Sequence, residues 1–282
     1  MVFRLDTVLI INHKELNLDR NAISKDPLDA HTTRTVNKFL LDVREQLPRN
    51  DYSAYLKSVC ASRSVLDIGV VEHNHSRMES QDWKHGIIRF AARRTVGIDV
   101  VPELVEKLVA QGMDVRLIDA TSDDDLRERF QVVHIGDVIE HVDSPVAMLK
   151  FAARHLDLGG KVIVRTPNPF YFIHVHSIKI NGTDVSNLEH VSWVTPTHML
   201  EIGRRSGLIL SKYLTEYPGG FSYKGIRKSA VVFLSGLKLR KRLWRGLSWR
   251  RGLAELTANP ERYSRMYVYE LTKTSESTPD SP

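Results

Sequence analysis

The chain of 282 residues holds a single cysteine, Cys60. An internal disulfide is therefore excluded, which accords with a reducing compartment. Cys60 precedes an apolar run and reads as a small buried residue rather than a nucleophile. No apolar run approaches the roughly 18–20 residues that a membrane span needs. The opening Met1-Val-Phe-Arg-Leu-Asp6 lacks a basic region followed by a long apolar core. No secretory signal is expected from it, and the location read from the sequence is cytoplasmic. Acid is missing from residues 217–254, which carry ten Lys or Arg. Outside that segment 30 basic residues face 34 acids, a balance of −4, although the whole chain stands at +6. The basicity thus belongs to one segment and not to the fold.

What is present is a recurring pattern. Val65-Leu-Asp-Ile-Gly69, Val96-Gly-Ile-Asp99 and Val132-Val-His-Ile-Gly-Asp137 are short apolar runs that end in small or acidic residues. Between them lie segments of helical spacing, such as Val101, Leu104, Val105, Leu108 and Val109 behind Pro102. This alternation predicts an α/β fold: a doubly wound, mostly parallel, seven-stranded Rossmann-like sheet with an antiparallel last strand. Strands are expected at 64–69, 95–99, 114–118, 131–136, 161–166, 208–216 and 265–273. Gly159-Gly160 should form the turn into the fifth. Thr195 should cap a helix over 196–206. In an open α/β sheet a ligand binds outside the carboxyl ends of the strands.

The flanks read less clearly. Residues 1–60 form a partly helical lead-in, with Thr7–Ile11 and Lys14–Leu18 as a possible hairpin, helical spacing over 31–46 and a short helix over 51–60. Residues 61–273 make one domain with the basic insertion at 217–254. The tail, 274–282, is Ser, Thr, Pro and acid, a composition that does not order.

Asp137-Val-Ile-Glu-His141-Val together with Leu158-Gly-Gly-Lys-Val-Ile-Val-Arg-Thr-Pro-Asn168-Pro resembles class I S-adenosylmethionine-dependent methyltransferases. The branch it is most similar to contains ubiquinone-pathway and polysaccharide-cluster O-methyltransferases. The resemblance spans roughly residues 60–215. It implies S-adenosylmethionine as cofactor. Gly69 would let the backbone approach the methionine part, with Asp67 ordering the loop or a water. Asp99, followed by Val100, would accept from both ribose hydroxyls. Asp119, between Ile118 and Ala120, would meet the adenine amine, and Asp137 would shape the pocket. The other reading of these acids is that they cap the helices that follow. The first loop departs from the usual Gly-x-Gly-x-Gly: here it runs Gly69-Val-Val71-Glu-His73. Its polar content, with Trp83 and His85 behind it, suggests a rebuilt loop.

His141 and His190 are the candidates for proton removal from an acceptor, since imidazole titrates near working pH. His174, Val175 and His176 alternate like a strand and could put two imidazoles on one face. No acid is fixed near them, so no metal is expected. The predicted reaction is O-methylation of a sugar hydroxyl in a glycan or glycolipid. A phenol or quinone precursor is the alternative acceptor, and a binding module without turnover is the third reading. Basic residues interleaved with Trp244 and Trp249 over 221–252 suit an anionic membrane surface, nucleic-acid phosphates or an acidic partner, and the other reading is an insertion packed on the sheet edge with a solvated basic face. Nucleic acid is not expected, since no Asn-Pro-Pro-Tyr motif occurs.

Overall fold

The computed structural model describes residues 28–71, 78, 80–184, 186–217 and 260–273. The proposed hairpin before residue 19, the basic segment 221–252 and the tail lie outside the described residues. The chain divides into two compact units between Asp42 and Val43. Of the first, helix α1 (Ala30–Asp42) is described. Asp29 caps it, its carboxylate accepting from the amides of His31 and Thr32.

The second unit is built on an eight-stranded sheet. In chain order the strands are β1 (Arg44–Gln46), β2 (Ser64–Ile68), β3 (Arg94–Asp99), β4 (Val115–Leu117), β5 (Phe130–Gly136), β6 (Leu156–Pro167), β7 (Leu208–Glu216) and β8 (Met266–Lys273). Across the sheet they run β1-β7-β8-β6-β5-β2-β3-β4. All neighbours are parallel except that β8 lies antiparallel between β6 and β7. The helices are α2 (Tyr52–Cys60), α3 (Lys84–Ala91), α4 (Pro102–Ala110), α5 (Pro145–Arg154), α6 (Phe172–Asn181), α7 (Pro196–Arg205) and the single turn α8 (Pro260–Tyr263). The fold is the doubly wound α/β class that the alternation predicts.

Three expectations are corrected. The sheet has eight strands, not seven, because the helix expected over 31–46 stops at Asp42. Arg44–Gln46 then pairs in parallel with Tyr213–Thr215 at the sheet edge. Gly159-Gly160 is not a turn ahead of a strand but a bulge inside β6. Leu156 pairs with Phe130, and the register shifts before Val132 meets Lys161. Gly159 sits at φ +75°, and a Cβ on Gly160 would lie 2.9 Å from the Gln131 carbonyl oxygen. His174–His176 is helical, within α6, so the two imidazoles do not share a strand face.

The caps follow the sequence. Asp51 accepts from the Ala54 amide at the start of α2, Ser144 from Ala147 at α5 and Thr195 from His198 at α7. Helix α2 packs into the same core as the sheet: Tyr52, Leu56 and Cys60 join Val65, Val132 and Ile163. Burial pushes the Cys60 thiol up to about 12, as befits a packing residue.

The topology places the site. From β2 the chain moves outward to β3 and β4, then returns to set β5 on the other side of β2. The carboxyl ends of β2 and β5 therefore flank the switch point, where open α/β sheets bind ligands.

Candidate functional site

A cavity of about 420 Å³ opens at this switch point. Its wall takes Asp67, Gly69, Val70 and Val71 from the end of β2, and Asp137, Glu140 and His141 from behind β5. Lys84, Arg165, His190 and Trp193 also line it. Of the residues assigned from sequence, it brings together Asp67, Gly69, Asp137, His141 and His190. Asp99, Val100, Ile118, Asp119 and Ala120 do not line it. They lie at the ends of β3 and β4, where Ile118 N–H donates to the Asp99 carbonyl at 3.0 Å.

The floor of the cavity is a buried polar chain that the sequence reading missed in part. The Asp67 carboxylate meets His85 Nδ1 at 2.8 Å and His134 Nδ1 at 2.6 Å. The other nitrogen of His134 meets the Tyr52 hydroxyl at 2.8 Å. Burial alone would raise the Asp67 carboxyl, but the two histidines outweigh it and hold the group below the usual carboxylate range. Room for the rings comes from glycine. A Cβ on Gly97 would lie 2.9 Å from His85, and one on Gly136 would lie 2.6 Å from His134. Asp67 thus holds two imidazoles. The signal for His134 was available: a histidine in the middle of an apolar strand needs a buried partner.

The turn after β2 is anchored from behind. Trp83 is buried and donates from Nε1 to the Val70 carbonyl at 2.9 Å. Gly69 has φ +77°, and a Cβ there would come within 2.1 Å of Val138. Only glycine satisfies both the turn and this contact. Glu72, His73, Asn74 and His75 lie outside the described residues.

Asp99 is nearly buried, and backbone amides claim its carboxylate. Val71 N–H donates to one oxygen at 2.9 Å, and Val100 and Val101 to the other at 2.7 and 3.2 Å. A carboxylate offers about four acceptor positions. Three are taken, so Asp99 links the β2 loop to the start of α4 and keeps limited capacity for a ligand hydroxyl. Asp119 is exposed and accepts from the amide and hydroxyl of Thr121. Val100 is 60% exposed beside them.

A second polar group frames the opposite wall. Arg165 forks onto Glu216, reaches Asp137 and lies 4.9 Å over the Tyr52 ring. Asp137 has φ +57°, a conformation that Asp tolerates, held by its amide bond to the Arg165 carbonyl. Lys84 donates to the Asp82 carbonyl, and burial and the nearby Arg165 lower its ammonium.

At the mouth, Glu140, His141 and His190 converge. The single turn Ile139–His141 follows β5. The Glu140 carbonyl accepts from the amides of Val191 and Ser192 at 2.9 and 3.2 Å, which ties the distant 187–193 loop to this turn. The rings of His141 and His190 then lie edge to face with centroids 4.8 Å apart. Glu140 is buried and accepts from the Thr166 hydroxyl at 3.0 Å. Burial first, then the charge of Asp137, push its carboxyl up to about 7. Burial first, then the neighbouring His141, lower the His190 imidazole.

The chain belongs to the family of methyltransferase domains, whose model matches residues 34–212, more than half of its length. It is thus a methyltransferase. A solved structure agrees in fold, and two others are similar at lower scores. A SAM-dependent methyltransferase of Archaeoglobus fulgidus superposes with a TM-score of 0.50 at 17% identity, over 79% of this chain and 93% of that one. The N-methyltransferase NodS of Bradyrhizobium japonicum gives 0.46 at 10%, over 81% and 96%. The O-methyltransferase of a trans-AT PKS multienzyme of Brevibacillus brevis, solved with S-adenosyl-L-homocysteine, gives 0.45 at 14%, over 79% and 72%. No curated protein matches by sequence. Among the described residues no helix is long and apolar enough to cross a membrane.

The cofactor of this family is S-adenosylmethionine, and the residues present fit it. The cavity is polar and of ligand size. Its Gly69 turn exposes backbone, Lys84 is a cation suited to the methionine carboxylate, and the ends of β3 and β4 offer the exposed face of Val100 beside Asp99.

Proposed function

We propose that this methyltransferase acts on a hydroxyl, and that the acceptor is a sugar hydroxyl of a glycan or glycolipid. One observation carries the reading: a single cavity joins the Gly69 turn to the cluster of Glu140, His141 and His190. S-adenosylmethionine supplies an electrophilic methyl group on a sulfonium. The chain's residues do the rest. The Gly69–Val71 turn, Lys84 and Asp99 hold the donor. The Glu140–His141–His190 cluster receives the acceptor hydroxyl and takes up its proton, the step an alcohol needs before it attacks. The cavity mouth supports a sugar in particular. Trp193 offers a flat apolar face, and Ser186, Asn187 and His174 offer polar groups around it.

Calorimetry with S-adenosylmethionine, followed by an acceptor panel read by S-adenosylhomocysteine release, tests this. Binding plus turnover on sugar hydroxyls is expected. Turnover on phenols alone would move the acceptor to the small-molecule alternative. Absence of donor binding would leave a binding module. Asp99→Ala should weaken donor binding by about 1.5–3 kcal/mol, the scale of charged hydrogen bonds. Unchanged affinity would remove Asp99 from the donor site. His141→Ala should lower kcat by about 10²–10⁴-fold while the donor Kd stays within a small factor.

A further inference from the structure

We infer that Glu140, His141 and His190 form a binding site for one divalent transition-metal cation. One ligand atom from each residue lies within 4.8 Å of the others. Two imidazoles and one carboxylate are a donor set suited to Zn²⁺, Fe²⁺ or Mn²⁺. Bonds of about 2.0–2.2 Å require only a small closing of the three side chains.

Three further observations point the same way. His190 Nδ1 is buried and has no hydrogen-bond partner. A buried imidazole nitrogen left so costs free energy, unless a ligand satisfies it. His141 presents Nδ1 to the Glu189 carbonyl at 3.2 Å. A carbonyl can only accept, so Nδ1 donates there and Nε2 would be the ligating nitrogen. This is the orientation that a backbone carbonyl imposes on a metal-bound histidine. Glu140 is buried, and one of its oxygens is fixed by the Thr166 hydroxyl. The charge of a cation would offset the burial of this carboxylate. Because the Glu140 carbonyl also anchors the amides of Val191 and Ser192, all three donors are set by one backbone junction.

Three protein donors leave coordination positions open, as in metal sites that bind a substrate oxygen. Resting on the acceptor reading above, in the metal-loaded protein the cation would take over from the imidazoles by lowering the pKa of a bound hydroxyl, whose proton would pass to solvent, and the imidazoles would serve as its ligands. Binding of the ion does not depend on that reading.

The test uses the full chain, stripped with chelator and titrated with Mn²⁺ by electron paramagnetic resonance and with Zn²⁺ by calorimetry. One ion per chain is expected. His190→Ala and the isosteric Glu140→Gln should each weaken it by at least about tenfold, the scale at which metal-site residues act. His176→Ala, an exposed imidazole on α6, should not. Thermal melts of the metal-free variants separate loss of binding from loss of fold. No stoichiometric binding, or equal affinity in wild type, His190→Ala and Glu140→Gln, would overturn the site. Ion binding without any binding of S-adenosylmethionine would instead overturn the methyl-transfer reading and leave the site standing.

Discussion

Asp67 shows how one buried carboxylate can organise a site without touching its ligand first. It is held by His85 and His134, which belong to different elements, and through His134 it reaches Tyr52. Its carboxyl is depressed in the folded chain, against an ordinary value near 3.9 in the unfolded one. The linkage then has a definite sign. A depressed carboxyl contributes stability above its unfolded pKa and loses it as pH falls through the folded value. Urea unfolding from about pH 5 downward should show wild type losing stability faster than Asp67→Asn, which cannot ionise. Parallel curves would mean that the carboxylate charge contributes nothing there. Asp67 and Gly69 were legible from their strand-end positions. The histidine partners of Asp67 were not, because they arrive from 18 and 67 residues away.

At the scale of the element, the turn after β2 decides how the cavity is walled. Gly69 is trapped between a positive φ and the Val138 side chain. Gly69→Ala should therefore destabilise the protein by about 1–3 kcal/mol from the backbone conformation, with the clash added. A second change, Val138→Ala, should recover the clash but not the backbone term. Thermal melts of the single and double variants would show partial rescue. Full rescue would assign the whole cost to packing, and none would assign it to φ. The same scale explains the errors in reading elements. Arg44-Glu-Gln46 carries no apolar alternation, and it becomes a strand only because β7 presents an edge to it. His174–His176 has the period of a strand over three residues, too short a window to outweigh the helix that surrounds it.

For the whole molecule, the division of charge is the property that calls for a test. Ten basic residues without an acid between 217 and 254, interleaved with Trp244 and Trp249, suit an anionic surface. Each basic residue near such a surface contributes about 1 kcal/mol and is screened by salt. The chain should bind anionic vesicles at low salt and release them as salt rises. Deleting 224–251 should abolish that binding and leave S-adenosylmethionine binding intact. Equal binding to neutral and anionic vesicles, or binding to neither, would favour a packed insertion with a solvated basic face.

The sequence by itself determined the fold class, the strand ends and the methyltransferase family, because these rest on local periodicity and on contiguous motifs such as Asp137–His141. It also marked His141 and His190, but as two separate candidates 49 positions apart. Their union with Glu140 was decided by tertiary structure alone. The hydrogen bonds from Val191 and Ser192 to the Glu140 carbonyl close a long loop onto a strand end. The placement of Asp99 was likewise decided in three dimensions. Its position after β3 was readable, but three backbone amides meet its carboxylate only once the β2 loop and α4 converge there. Local pattern sets which residues face the crevice. Loop closure across the sheet sets which of them meet.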